Sequence, residues 1–210
     1  WSSVNTANNT ALSAVAYDGS QFVAVGNGGR VTTSPDALTW SARTSGQTTA
    51  LRGIATGAGA LVAVGDTALV IRSTDTGITW SPQTVPAPLG STTSLLAVTF
   101  AGGQFLAVGL DQVGAILSTV ILTSLDGAAW TRREVPYTQS ARAITYANGR
   151  YIVGGGTASI LSSADGITWT SEAANNSQLV LGLANSAAGT VAVSTAGGIQ
   201  FASNSPAPAV

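Results

Sequence analysis

Lysine, histidine, cysteine and methionine are missing from all 210 residues. Only 8% of residues are charged, against roughly 25% in an average soluble domain. Each absence removes a chemistry. Without His or Cys there is no imidazole or thiolate metal site, no Ser-His-Asp or Cys-His nucleophile and no disulfide; without Lys there is no Schiff base. The eight basic residues are all arginine, are scattered, and leave a net charge of -1. Nucleic acid is therefore not an expected partner, because phosphate binding needs clustered cations. No apolar run approaches the ~18 residues of a membrane-spanning helix, so membrane insertion is not expected either. Low charge with abundant Ser, Thr, Gly and Asn points to a secreted, periplasmic or cell-surface location. No cofactor is implied, and no spacing of carboxylates resembles a metal-binding loop.

What is present is a repeat. Four tryptophans close a similar phrase: Ser34-Pro-Asp-Ala-Leu-Thr-Trp40, Ser73-Thr-Asp-Thr-Gly-Ile-Thr-Trp80, Ser124-Leu-Asp-Gly-Ala-Ala-Trp130 and Ser163-Ala-Asp-Gly-Ile-Thr-Trp169. With Trp1 as the fifth, the spacings are 39, 40, 50 and 39 residues. A period near 40 residues with turn residues at a fixed place marks a repeat architecture.

Each unit reads as four antiparallel strands, A to D. Strand A is a short apolar run (Leu12–Tyr17, Leu51–Thr56, Leu95–Phe100, Ala141–Tyr146, Val180–Asn185). A tight Gly/Asp/Asn turn leads to strand B, as in Phe22-Val-Ala-Val-Gly and Leu61-Val-Ala-Val-Gly, a hairpin signal. A glycine-rich turn gives strand C. The Ser-x-Asp turn then leads to strand D, expected to open at the tryptophan. No helical periodicity is sustained. The expected fold is all-β: a five-bladed β-propeller of four-stranded antiparallel blades, one domain over residues 1–210 with repeats near 1–40, 41–80, 81–130, 131–169 and 170–210. Trp1–Val4 is a D strand with nothing before it, and Ile199–Ser203 a C strand with nothing after it. The last blade is thus expected to close as one N-terminal plus three C-terminal strands, with Trp1–Val4 beside Phe201, which hides a sheet edge. The third and fifth positions of strand A are small in all repeats, as near an axis, while the fourth is large and expected to pack between blades. Residues 205–210 read as the start of a linker, which suits a monomeric domain of a longer chain.

The Ser-x-Asp-(x)-Gly-x-Thr-Trp phrase resembles the Asp-box, or bacterial neuraminidase repeat, of sialidase-type propellers. Residues 73–80 carry its full pattern, and the other copies are one residue shorter. With strands A and B included, the repeat is also similar to that of photosystem II assembly-factor propellers. The resemblance implies that the box is a turn on the outer rim, so that Asp36, Asp75, Asp126 and Asp165 hold turns while Trp1, Trp40, Trp80, Trp130 and Trp169 pack. If its ring is buried, Trp80→Ala costs ~3–5 kcal/mol.

Ligands of propellers usually sit on the face made by the D–A and B–C loops. Those loops carry Asn27, Arg30, Asp66, Asp111 and Gln112. The second position of strand A is Ser13, Arg52, Leu96, Arg142 and Leu181. Arg52 and Arg142 break the repeat symmetry at the channel mouth and can grip a carboxylate or phosphate; the plainer alternative is that they pair with Asp66 or Asp111. The third repeat carries two insertions, Pro86–Ser91 and around Val113–Thr119. Tyr137 is the best aromatic for sugar stacking.

A sialidase would need a glutamate beside its tyrosine nucleophile, and Glu134 and Glu172 both fall on the outer D strands. A glycosidase of another kind needs a carboxylate pair, for which only Asp66 and Asp111 are placed. The expected function is a non-catalytic binding or scaffold module that recognises a glycan or protein through the loop face. The alternatives are a glycoside hydrolase and a structural or assembly domain of a larger surface protein.

Overall fold

The computed structural model describes residues 3–4, 10–87, 89, 91–135, 139–156, 159–173, 178–186 and 188–203. Short β-rich runs separated by positive-φ turns give a chain of hairpins. The first sheet comprises β1 (Leu12–Tyr17), β2 (Phe22–Gly26), β3 (Val31–Ser34) and β4 (Ser41–Arg43). The second comprises β5 (Leu51–Gly57), β6 (Ala60–Gly65), β7 (Val70–Ser73) and β8 (Ser81–Pro82). The third comprises β9 (Thr93–Ala101), β10 (Gln104–Val113), β11 (Ile116–Ser124) and β12 (Thr131–Arg133). The fourth comprises β13 (Ala141–Ala147), β14 (Arg150–Gly155), β15 (Ser159–Ser163) and β16 (Thr170–Ala173). The last contains β17 (Val180–Asn185), β18 (Gly189–Ser194) and β19 (Ile199–Ser203). All pairing within these sheets is antiparallel. Among the described residues there is no α-helix.

The strand reading and the structure part at two places. Strands β4, β8, β12 and β16 each begin one residue after the tryptophan, because the indole N–H bonds back to a carbonyl three residues earlier and keeps Trp in the turn. The fourth strand expected on the last sheet falls partly outside the described residues: Trp1 and Ser2 lie beyond them, and Ser3 and Val4 are in no strand.

First strands β1, β5, β9, β13 and β17 lie side by side in that order, and the core is laid between successive sheets. Val23, Val25 and Val31 of the first sheet pack with Leu51, Ile54, Leu61, Ala63 and Ile71 of the second. Val62, Val64 and Val70 of the second pack with Leu95, Val98, Phe105, Leu122 and Trp130 of the third. Leu106, Val108 and Ile121 of the third meet Ala141, Tyr151, Val153, Leu161 and Trp169 of the fourth. Each sheet therefore has a leading face (strand B positions two and four) and a trailing face (strand A positions one and four, and the Trp). The fourth-position residues Ile54 and Val98 are buried between sheets, as their size suits; Val15 is exposed.

The glycine that ends strand B has a steric cause. At Gly26, Gly65, Gly109 and Gly155 an added Cβ would stand 2.1, 2.1, 2.0 and 1.7 Å from the carbonyl oxygens of Ala11, Ala50, Ser94 and Ser140. Strand A bulges beside this close approach in all four of these sheets.

Candidate functional site

The four Ser-x-Asp turns share one geometry. Asp36 Oδ1 accepts from the N–H groups of Leu38 and Thr39 at 2.8 and 2.7 Å and from the Ser34 hydroxyl at 3.0 Å. Asp126 does the same with Ala128, Ala129 and Ser124, and Asp165 with Ile167, Thr168 and Ser163. Asp75, in the longer copy, accepts from the Thr79 N–H and hydroxyl and from Ser73. Each of these carboxylates is engaged by its own turn.

The bonds hold the aspartates ionised. Thr39 and Leu38 N–H groups take Asp36 from 3.8 to about 2, and the Thr79 hydroxyl and N–H take Asp75 to about 2. Asp126 and Asp165 are also lowered, chiefly by backbone N–H groups. A carboxylate with a folded pKa below its unfolded value adds stability that is complete above the unfolded pKa and is lost as pH falls through the folded one. The urea midpoint is therefore expected to be level above about pH 5 and to fall between about pH 4 and pH 2. Asp75→Asn should shrink that acid-dependent part; a midpoint level down to pH 2 would show that the protonated turns hold equally well.

On the loop face, the structure gathers Asn27, Arg52 and Asp66. Arg52 makes a two-point pair with Asp66, Nε to Oδ1 at 3.1 Å and Nη2 to Oδ2 at 2.6 Å. Its Nη1 donates to Asn27 Oδ1 at 3.4 Å, tying the first sheet to the second. The guanidinium bond holds Asp66 below its usual range. Asp66 also bridges to Ser94 of the third sheet. Asp111 is buried and does not meet Arg142; its Oδ1 accepts from the Thr92 and Thr93 hydroxyls, each at 2.9 Å. Asp66 is thus held by its cation, and Asp111 is committed to two hydroxyls. Glu172 bonds with Ser162 and Arg150 on the outer edge of the fourth sheet.

Arg142 is exposed and makes no ion pair among the described residues. Arg30 donates to the Thr10 carbonyl. With Asn27, Trp40, Ala42, Arg43 and Gln47 it lines a cleft of about 500 Å³ on the first sheet. Tyr137 lies outside the described residues.

The insertion around Val113–Thr119 is a projecting hairpin. Strands β10 and β11 stay paired through Leu110–Thr119, Asp111–Ser118, Gln112–Leu117 and Val113–Ile116, whereas β6 and β7 stop at Val64–Val70. Gly114 turns it with φ of 62°, and Gln112 Nε2 donates to the Gly114 carbonyl at 3.2 Å. Exposed Ile116 and Leu117 open the returning strand beside the Gly114-Ala115 tip. Thr119 donates to the Gln139 carbonyl, three residues before Arg142, which anchors the hairpin beside that arginine's strand. Sequence reading placed an insertion here but missed Ile116, Leu117 and Thr119. The available signal was Gly114 between two apolar runs.

Comparison places these sheets among β-propellers. YCF48 from Cyanidioschyzon merolae is 19% identical with a TM-score of 0.72, covering 97% of this chain and 70% of its own. YCF48 bound to a D1 peptide is 16% identical, with a TM-score of 0.71 over 93% of this chain and 64% of its own. The WD40 propeller domain of Doa1 is 13% identical, with a TM-score of 0.64 over 93% of this chain and 66% of its own. This chain thus spans about two thirds of the length of each. No protein-family model matches the sequence, and no curated protein matches it.

Proposed function

We propose that this chain is a non-catalytic protein-binding or assembly module, and that it receives an extended peptide segment on its B–C/D–A loop face. The observation that carries this reading is the juxtaposition of the β10–β11 hairpin with Arg142. The hairpin stands beyond its sheet with an apolar side chain beside its tip, Ile116 being 67% exposed. It is anchored next to a strand whose Arg142 has no acidic partner among the described residues. An apolar ledge beside an unpaired guanidinium suits a segment that offers an apolar side chain and a carboxylate a few residues apart. Arg52, already neutralised by Asp66, serves as scaffold. The solved propeller bound to a peptide supports this class of partner over a sugar.

Panning a random displayed-peptide library on the protein tests the reading. Enriched clones should pair a carboxylate with aliphatic or aromatic residues. Arg142→Ala, and separately Ile116→Ser with Leu117→Ser, should weaken them about tenfold or more. An unenriched library, or clones indifferent to both variants, would overturn the proposal; selective retention on a glycan array would replace it with a lectin.

A further inference from the structure

Large exposed hydrophobic side chains recur at one kind of place. Each Ser-x-Asp turn carries one: Leu38 is 65% exposed, Ile78 52%, Leu125 73% and Ile167 50%. Among the described residues outside the strands of the first and last sheets, the other exposed large hydrophobics are Ile116 and Leu117 of the hairpin. A lone surface aliphatic needs no explanation, but one in each of four turns at the same end of the sheets is a series. The position two residues before the tryptophan holds Leu38, Ile78 and Ile167; the third turn has Ala128 there and carries Leu125 in front of its aspartate instead. None of the four belongs to a buried cluster between sheets. Their backbones are fixed all the same. The N–H groups of Leu38 and Ile167 donate to Asp36 and Asp165, and that of Ile78 to the Asp75 carbonyl. Leu125 lies between Ser124 and Asp126, which bond to each other. Each turn thus holds its aliphatic residue in place and leaves the side chain in solvent.

The same end of the sheets is acidic. Antiparallel order sends the A–B and C–D turns to one end and the B–C and D–A loops to the other. Asp18, Asp36, Asp75, Asp126 and Asp165, five of the nine acidic residues, lie in those turns. Arg30, Arg52 and Arg142 lie at the loop end. The basic residues nearest the turns are already engaged, Arg72 with the Asp126 carbonyl and Arg150 with Glu172. The turn bonds of Asp36, Asp126 and Asp165 all go to Oδ1. Three exposed carboxylates therefore keep an Oδ2 that has no protein donor among the described residues.

We infer that the turn face is a second docking surface, separate from the loop face, and that it takes a cationic protein segment whose Lys or Arg residues are interspersed with aliphatic ones. The aliphatic residues of the segment cover Leu38, Ile78, Leu125 and Ile167, and its cations meet the remaining carboxylate oxygens. Sign selects the occupant. Five aspartates repel an anionic membrane surface and nucleic acid, and they repel the carboxylate-bearing segment proposed for the loop face. The A–B turns inside the rim, such as Ala58-Gly59 and Gly102-Gly103, carry small side chains, so the four aliphatic residues are the large apolar groups a partner meets there.

Panning a displayed-peptide library on the Arg142→Ala protein tests this. The loop-face site is disabled there, so that reading can fail without touching this one. Enriched clones should carry Lys or Arg among aliphatic residues, and their synthetic copies should bind more weakly as salt is raised. Leu38→Ser, Ile78→Ser, Leu125→Ser and Ile167→Ser together should weaken them about tenfold or more, with an unchanged far-ultraviolet spectrum because no core contact is lost. Asp126→Asn with Asp165→Asn keeps an Oδ1 acceptor in each turn but removes two charges, and should weaken them severalfold. An unenriched library, clones without basic residues, or clones indifferent to both variants would overturn the inference. So would retention on phosphatidylcholine vesicles that the four serines abolish, which would assign the aliphatic residues to a lipid surface. Self-association abolished by the same serines would assign them to a second copy and overturn it equally.

Discussion

Trp130→Ala is expected to lower the unfolding free energy by about 3–5 kcal/mol, measured as the shift in a urea titration. The indole is buried between the second and third sheets, with its ring centroid 6.4 Å from that of Phe105. Its N–H donates to the Gly127 carbonyl at 3.0 Å. Truncation removes a large apolar group from a site walled by Val62, Val64 and Phe105 and leaves the turn carbonyl without its donor. Trp40 makes the same bond to Ala37 at 3.1 Å, but among the described residues it joins no buried cluster between sheets and the ring is only half-buried. Trp40→Ala should therefore cost about 1–2 kcal/mol, with half-buried Trp80 between the two. Equal losses at Trp40 and Trp130 would mean that the ring of Trp40 is covered in solution.

Gly65→Ala is the second large effect, expected at about 3 kcal/mol. The new Cβ would stand 2.1 Å from the Ala50 carbonyl oxygen and 3.1 Å from the Leu51 Cα. Both are backbone atoms at the bulge where β5 begins, so no side-chain rotation relieves the overlap. The strand would have to slide, and the Asp66 N–H bond to that same carbonyl at 3.0 Å would be lost with it. Gly59 supplies the control: its φ is 71° but nothing lies within 4 Å of the added atom. Gly59→Ala should cost about 1–2 kcal/mol from the left-handed backbone alone. If Gly65→Ala proves no worse than Gly59→Ala, the close approach of β5 and β6 is looser than described.

The repeat was legible because hairpins are local. The Gly-Asp-Asn turns, the two-residue alternation of strand B and the Ser-x-Asp phrase each act over a few residues, and each gave the element expected. Where the reading fell short, the cause was a partner distant in sequence. The turn of Trp40 has Ala37 where that of Trp130 has Gly127, and an added Cβ at Gly127 would stand 2.5 Å from Val62 of the second sheet; whether another sheet lies in front of the ring is what separates the two tryptophans. Val15 and Ile54 look alike in their strands, and only Ile54 has a neighbour to cover it. The Arg52–Asp66 pair was one of two readings open from repeat positions, whereas Asp111 turned to Thr92 and Thr93 because an insertion had lengthened β9 and β10. That same lengthening made a hairpin of what looked like loop, since Ile116 and Leu117 could be placed only once the register of β11 was known.

The rim turns do more than close hairpins. Gln21 of the first sheet donates to the Thr76 carbonyl in the turn of the second, Arg72 of the second to Asp126 of the third, and Gln104 of the third to Asp165 of the fourth. Every such bond joins a sheet to its immediate successor, as do the apolar clusters. Cooperativity in such a molecule is a matter of nearest neighbours, like a row of coupled two-state units. Fluctuations that open the chain would then start at the two ends and run inward. The third sheet, gripped from both sides, would exchange its amide hydrogens last, and the hairpin proposed to receive a partner grows from that slowest-opening unit.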